Sequence, residues 1–146
     1  PVAAGIRCVI AGDGEERARL RERVDSLGLA GRVKLVGSVV ESELVQHLAR
    51  CRAVCYPPKA EDYGLLTLEA FVSGKAVITC SDSGGPAELV ATDKEGIVVA
   101  PQAKPLAEAF RRIMDDARLA ERLGRDAQVR AREFTWDRTI RRLLAI

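Results

Sequence analysis

Glu61 and Glu69 are separated by seven residues with Gly64 between them, and the stretch from Pro58 to Phe71 places the first carboxylate in a loop and the second inside a following helix. Backbone N–H groups at the start of a helix lack intrahelical acceptors and carry the positive end of its dipole, so the junction at Gly64 can receive a phosphate. A glycine there lets the anion come close to the backbone. Glu69 lies about 7.5 Å further along the axis, its side chain tilted back toward the N-terminus. It is flanked by Leu68, Ala70 and Phe71. A carboxylate in such a helix either has a partner, such as vicinal hydroxyls or backbone donors, or is turned to solvent as many helical glutamates are. Spacing alone leaves both readings open.

The elements that must position this pair alternate along the chain. Ile6 to Ala11 is a β-prone run ending in the turn Gly12-Asp13-Gly14, followed by a charged helix with Leu20, Val24 and Leu27 on one stripe and a stop at Gly28. Val33 to Val36 predicts a second strand closed by Gly37-Ser38, and Leu44, Val45, Leu48 and Ala49 the stripe of a second helix. Ala53 to Tyr56, Ala76 to Cys80 and Gly96 to Ala100 predict three more strands. Between them fall a helix from Gly64 to Ser73 stopped by Gly74, a turn over Ser81 to Pro86, and a short helix through Glu88 to Ala91. Beyond Pro105 the periodicity is helical to the end. Short apolar strands alternating with helices imply a Rossmann-like, doubly wound α/β domain with a parallel sheet. Such sheets bind ligands beyond the carboxyl ends of their strands, which singles out loops 12–14, 37–40, 57–64 and 81–86.

One domain is expected from 146 residues with 47% hydrophobic content. The net charge of +2 comes from interspersed acids and bases and points to no nucleic-acid partner. No apolar run approaches the roughly 20 residues that span a bilayer, and Pro1-Val2-Ala3-Ala4-Gly5 lacks the architecture of a signal peptide, so a soluble, cytoplasmic protein is expected. Cys8, Cys51, Cys55 and Cys80 read as small buried thiols. Cys51 and Cys55 have no second Cys/His pair to complete a four-ligand site, and no metal is expected.

The segment around the two carboxylates resembles the E-x7-E motif of retaining GT-B glycosyltransferases of family GT4, written as Glu-x-aromatic-Gly-x4-Glu followed by Ala. Glu61, Tyr63, Gly64, Glu69 and Ala70 occupy those places. The similarity extends over almost the whole chain. Ile10-Ala11-Gly12-Asp13-Gly14 is similar to the family's strand and GxG turn, Val33 to Gly37 to its next strand, and Gly84-Gly85-Pro86-Ala87-Glu88 to its Gly-Gly-x-x-Glu loop. Phe134-Thr135-Trp136 is similar to the aromatic step before the last helix. Ordered matches at proper spacing carry far more weight than any one alone.

The resemblance implies the nucleotide-sugar-binding, C-terminal half of a retaining glycosyltransferase, with a nucleoside-diphosphate sugar as substrate. Glu69 would hold the ribose hydroxyls and Glu61, the catalytic-site carboxylate, the hydroxyls of the transferred sugar. Backbone amides around Tyr63, Gly64, Leu65 and Leu66 would meet the diphosphate and sugar. Gly12 and Gly14 would pass close to the phosphates, and Gly37 with Ser38 and Val39 would border the base. The family's donor domain begins about 30 residues earlier, one βα unit, with a Gly-Arg turn and a helix-borne Lys that clamp the leaving diphosphate. A fragment is therefore expected, one that lacks both cations and the acceptor-binding N-terminal domain and is inactive alone. Pro58 stands where the family frequently has Ser. A non-catalytic nucleotide-sugar-binding module and a GT-B-fold epimerase are the competing readings.

Two other motifs fail on context. Asp82-Ser83-Gly84-Gly85-Pro86 spells most of a trypsin-like nucleophile loop, but the only histidine, His47, falls within a helical pattern as a partly buried residue, and the fold pattern is wrong. Gly12-Asp13-Gly14-Glu15-Glu16-Arg17 has Arg17 where a dinucleotide fingerprint needs its third glycine. The tail arginines Arg111, Arg112, Arg138, Arg141 and Arg142 read as a solvated helix face, with peripheral association at an anionic membrane as the alternative.

Overall fold

Short β-branched runs and amphipathic segments fold into parallel β-strands and α-helices in the computed structural model, which describes residues 5–144. Residues 1–4 and 145–146 lie outside the described residues, and with them most of the N-terminal stretch 1–5 and the last positions of the helical tail. The described residues divide into two compact units, the first ending at His47 and the second beginning at Leu48.

The first unit contains β1 (Cys8–Ala11), α1 (Arg17–Ser26), β2 (Val33–Gly37) and most of α2 (Glu41–Arg50), which runs on into the second. β1 and β2 pair in parallel, Cys8 opposite Val33 and Ile10 opposite Leu35, before a shift sets Ala11 opposite Gly37. The ladder starts at Cys8, whose N–H donates to Arg32 O at 2.8 Å, so the strand begins two residues after the apolar run that predicts it. After the shift, Gly12 N donates to Gly37 O at 2.7 Å and joins the turns that close the two strands. α1 buries none of its residues. His47 is half-buried in α2, in keeping with its sequence reading.

The second unit holds β3 (Ala53–Cys55), α3 (Leu65–Val72), β4 (Ala76–Cys80), α4 (Gly85–Leu89), β5 (Gly96–Val99), α5 (Ala103–Asp115), α6 (Ala117–Ala131) and α7 (Trp136–Leu144). Its strands run in the order β3-β4-β5, all parallel, with Val54 opposite Val77 and Ile78 opposite Ile97. Every residue of β4 is buried, as expected of a central strand covered on both faces. Ala76 and Ile78 of β4 and Ile97 of β5 form one core cluster with Ala109 and Ile113 of α5 and Ala120 and Leu123 of α6. No disulfide joins the cysteines; Cys80 is buried, whereas Cys8, Cys51 and Cys55 are half-buried rather than fully enclosed.

Two boundaries differ from the sequence reading. α4 begins at Gly85 and ends at Leu89 instead of running from Glu88 to Ala91. Pro86, with its fixed φ, suits the first helical turn. The exit is set by Glu95, whose carboxylate accepts from Ala91 N at 3.0 Å beyond an extended Val90. The continuous helical periodicity after Pro105 is broken at Asp116, whose side chain accepts from Leu119 N at 2.9 Å and caps α6. Among the described residues, no helix is long and apolar enough to cross a membrane.

Leu123 is fully buried in the cluster that joins α5 and α6 to the sheet. Leu123→Ala is expected to destabilise the second unit by about 2–5 kcal/mol through lost burial and a residual cavity. Urea unfolding followed by circular dichroism measures this, and a loss below about 1 kcal/mol would mean that the cluster does not carry the unit's stability.

Candidate functional site

The two loops beyond the carboxyl ends of β3 and β4 are joined by backbone hydrogen bonds. Ala60 N donates to Asp82 O at 2.9 Å, Glu61 N to Ser83 O at 3.2 Å, and Gly85 N to Glu61 O at 2.8 Å. Glu61 and Gly84 thereby form an isolated parallel bridge. Ala60, just before the carboxylate, holds a φ of 50°, a left-handed conformation that a non-glycine residue adopts only when its surroundings impose it. Gly84 has a φ of 68°, and a β-carbon there would strike Glu61 O. Ser83 is fully buried, and its Oγ accepts from Cys80 N at 3.2 Å. The hydroxyl that resembles a protease nucleophile is thus a structural tie of this loop.

Gly64 is the N-cap of α3 with a φ of 73°. It is buried, and a β-carbon on it would collide with the Pro86 ring, 2.8 Å from Cδ and 3.4 Å from Cε1 of Tyr56. The need for glycine at this position thus comes from its left-handed backbone and from protein packing, a reason different from the close approach of an anion. Thr67 N donates to Gly64 O at 2.8 Å, while the amides of Leu65 and Leu66 have no acceptor among the described residues. Two N–H groups at the positive end of the α3 dipole are therefore free.

Thr67, Ala70 and Phe71 form the buried face of α3. The opposite face exposes Leu65 at 65%, Val72 at 64%, and Glu69 between them. The Glu69 carboxylate takes no hydrogen bond or ion pair among the described residues. Of the two readings of this carboxylate, the solvent-facing one holds for the protein alone, and the argument from the cost of burial does not apply. Helical side chains lean toward the preceding turn, so Glu69 lies over the side of α3 that carries Leu65 and Leu66.

Glu61 is half-buried, and Tyr56 Oη donates to its Oε2 at 3.4 Å. Burial and the adjacent Glu61 carboxylate push the Tyr56 phenol above its ordinary range. Tyr63 is half-exposed beside this pair in sequence. The second unit thus gathers Glu61, Tyr63, Gly64, Leu65, Leu66 and Glu69 along one loop and the helix that follows. Tyr56 went unread in the sequence because its hydroxyl ends an otherwise apolar strand pattern; a hydroxyl-bearing ring just before Pro57-Pro58 was the available signal.

The remaining expected site residues lie in the first unit. Gly12 and Gly14 are exposed in the turn after β1, where Gly14 N donates to Asp13 Oδ1 at 2.9 Å. Asp13 also pairs with Arg17. Gly37 is buried with a φ of 77°, and a β-carbon on it would come to 3.1 Å of the Arg17 guanidinium. Ser38 is exposed and Val39 half-buried.

The family profile described as glycosyl transferases group 1 matches residues 3–130. An exopolysaccharide phosphotransferase of Streptomyces coelicolor is 32% identical over 139 residues, which cover 94% of this chain and 14% of that protein. A D-inositol 3-phosphate glycosyltransferase of Jonesia denitrificans is 34% identical over 135 residues, 91% of this chain and 30% of that protein. The crystal structure of Anabaena Alr3699/HepE in complex with UDP-glucose superposes with a TM-score of 0.81 at 25% identity, covering 97% of this chain and 40% of that one. The chain spans less than a third of the length of both curated relatives. Matched by this profile over residues 3–130, and folded into parallel strands joined by helices, the chain belongs to the glycosyl transferases group 1 family.

Proposed function

We propose that this chain binds the nucleoside-diphosphate sugar donor of a retaining glycosyltransferase of the GT4 type. The observation that carries the proposal is the exposed, unpartnered Glu69 carboxylate on the face of α3 whose first two amides are also free. An anion at those amides gains from hydrogen bonds and from the dipole, and a carboxylate one turn later is placed to accept from the vicinal hydroxyls of a ribose. The likeness to a structure that contains UDP-glucose supports a uridine nucleotide as the first probe.

In this reading, Leu65 and Leu66 N–H receive the diphosphate, with Tyr63 and Gly64 bordering it. As the sugar leaves its phosphate oxygen, negative charge grows on the diphosphate, and preorganised amides favour that state over the ground state. Glu61 accepts from hydroxyls of the transferred sugar and orients it. In the first unit, Gly12 and Gly14 are assigned to phosphate, and Gly37, Ser38 and Val39 to the base, on the strength of the family resemblance. Transfer to an acceptor is proposed for the larger enzyme, since the relatives are more than three times as long as the matched span.

Glu69→Gln is expected to weaken UDP binding by about 1–3 kcal/mol, the range for a hydrogen bond to a charged group. Isothermal titration calorimetry reads this directly, and affinity equal to that of the unaltered protein would remove the ribose role. Glu61→Ala should weaken UDP-glucose more than UDP when the two are titrated side by side; equal losses would remove its role toward the sugar.

A further inference from the structure

We infer that Tyr56 is a positioning residue for Glu61: it holds one carboxylate oxygen so that the other is presented to a hydroxyl of the bound sugar. The role rests on the donor-binding function proposed above. Tyr56 follows directly on β3, and both its backbone polar groups are tied to the neighbouring strand. Its N–H donates to Ile78 O at 2.9 Å, and its carbonyl accepts from Thr79 Oγ1 at 2.8 Å. Thr79 is fully buried, which shields that second bond from water. The Tyr56 ring lies beside Gly64, where a β-carbon would come to 3.4 Å of its Cε1, an ordinary contact distance; it is Pro86 that leaves no room for a side chain there. Because both backbone polar groups of Tyr56 are held, the ring projects from an anchored position and brings its hydroxyl to Glu61.

Glu61 is in the opposite condition. Its backbone is held by the bridge to the 81–86 loop, but its side chain has three rotatable bonds and, among the described residues, one donor: Tyr56 Oη, 3.4 Å from Oε2. An ionised carboxylate has room for several donors. Once Oε2 is engaged by the phenol, Oε1 is the acceptor that remains for a ligand. The bond is long, so its effect lies in the choice of rotamer more than in stability, and less ordering of Glu61 is left for the ligand to impose. The phenol, pushed up by burial and by Glu61, stays protonated and therefore a donor at neutral pH.

Two measurements test the role, one of them independent of any ligand. Glu61→Gln removes the charge facing the phenol and should lower the Tyr56 pKa, followed by its ring-carbon NMR signal against pH; an unchanged titration would overturn the pairing. Tyr56→Phe keeps the ring packed on Gly64 and removes only Oη. It should weaken UDP-glucose binding by about three- to tenfold while leaving UDP binding and the thermal midpoint unchanged. In a Glu61→Ala background the same substitution should have no further effect. Equal weakening of UDP and UDP-glucose, or an additive loss in the double variant, would overturn the positioning role. If the unaltered chain binds UDP-glucose and Tyr56→Phe matches it, the role alone fails. If the unaltered chain binds neither UDP-glucose nor UDP, the donor-binding function and the role fail together.

Discussion

The backbone bridge between Glu61 and Gly84 is the contact on which the arrangement of the site depends. A carboxylate in a nine-residue connection between β3 and α3 has no regular structure of its own to hold it. It is instead held by a second loop, whose own shape is fixed by a buried Ser83 hydroxyl and by the start of α4. Pro86 then closes on Gly64, so the cap of α3 and the position of Glu61 are set by the same few residues. Net gains of about 1 kcal/mol per hydrogen bond are small individually. Their value here lies in geometry, because each excludes alternative paths for the loop that carries Glu61.

Division of labour within α3 follows from which face is covered. Thr67, Ala70 and Phe71 anchor the helix in the second unit, and this leaves Leu65, Glu69 and Val72 on the outer face. An exposed carboxylate carries no desolvation cost in the free protein, so Glu69 needs no partner until one arrives. The amides of Leu65 and Leu66 likewise have no acceptor among the described residues, as the first turn of a helix leaves them. The outer face of the helix thus leaves the Glu69 carboxylate exposed between two apolar side chains, while the opposite face supplies the burial that stabilises it.

Much of this was legible in the sequence wherever the signal is local. Ala76 to Cys80 is a run of β-prone residues with a glycine stop before it, and its observed bounds coincide with those expected. The loops beyond β3 and β4 were singled out because parallel sheets place their binding loops at carboxyl ends, and those two do meet. What stayed hidden depends on contacts between segments far apart in the chain. Periodicity cannot show that Glu95 ends α4, that Pro86 is the reason for Gly64, or that Tyr56 reaches Glu61. The pattern around Glu69 left two readings because an apolar flank is compatible with either face, and only the packing of Phe71 decides which side is buried.

In the proposed donor complex the first turn of α3 receives the phosphates. Amide proton–nitrogen NMR spectra of the labelled chain, recorded during titration with UDP, address it without relying on any substitution. Saturable displacement of the Leu65 and Leu66 amide signals, the largest in the second unit and accompanied by a shift at Glu69, is the predicted result. Saturable binding that leaves those two amides unmoved, or no change at any concentration of UDP, would contradict it.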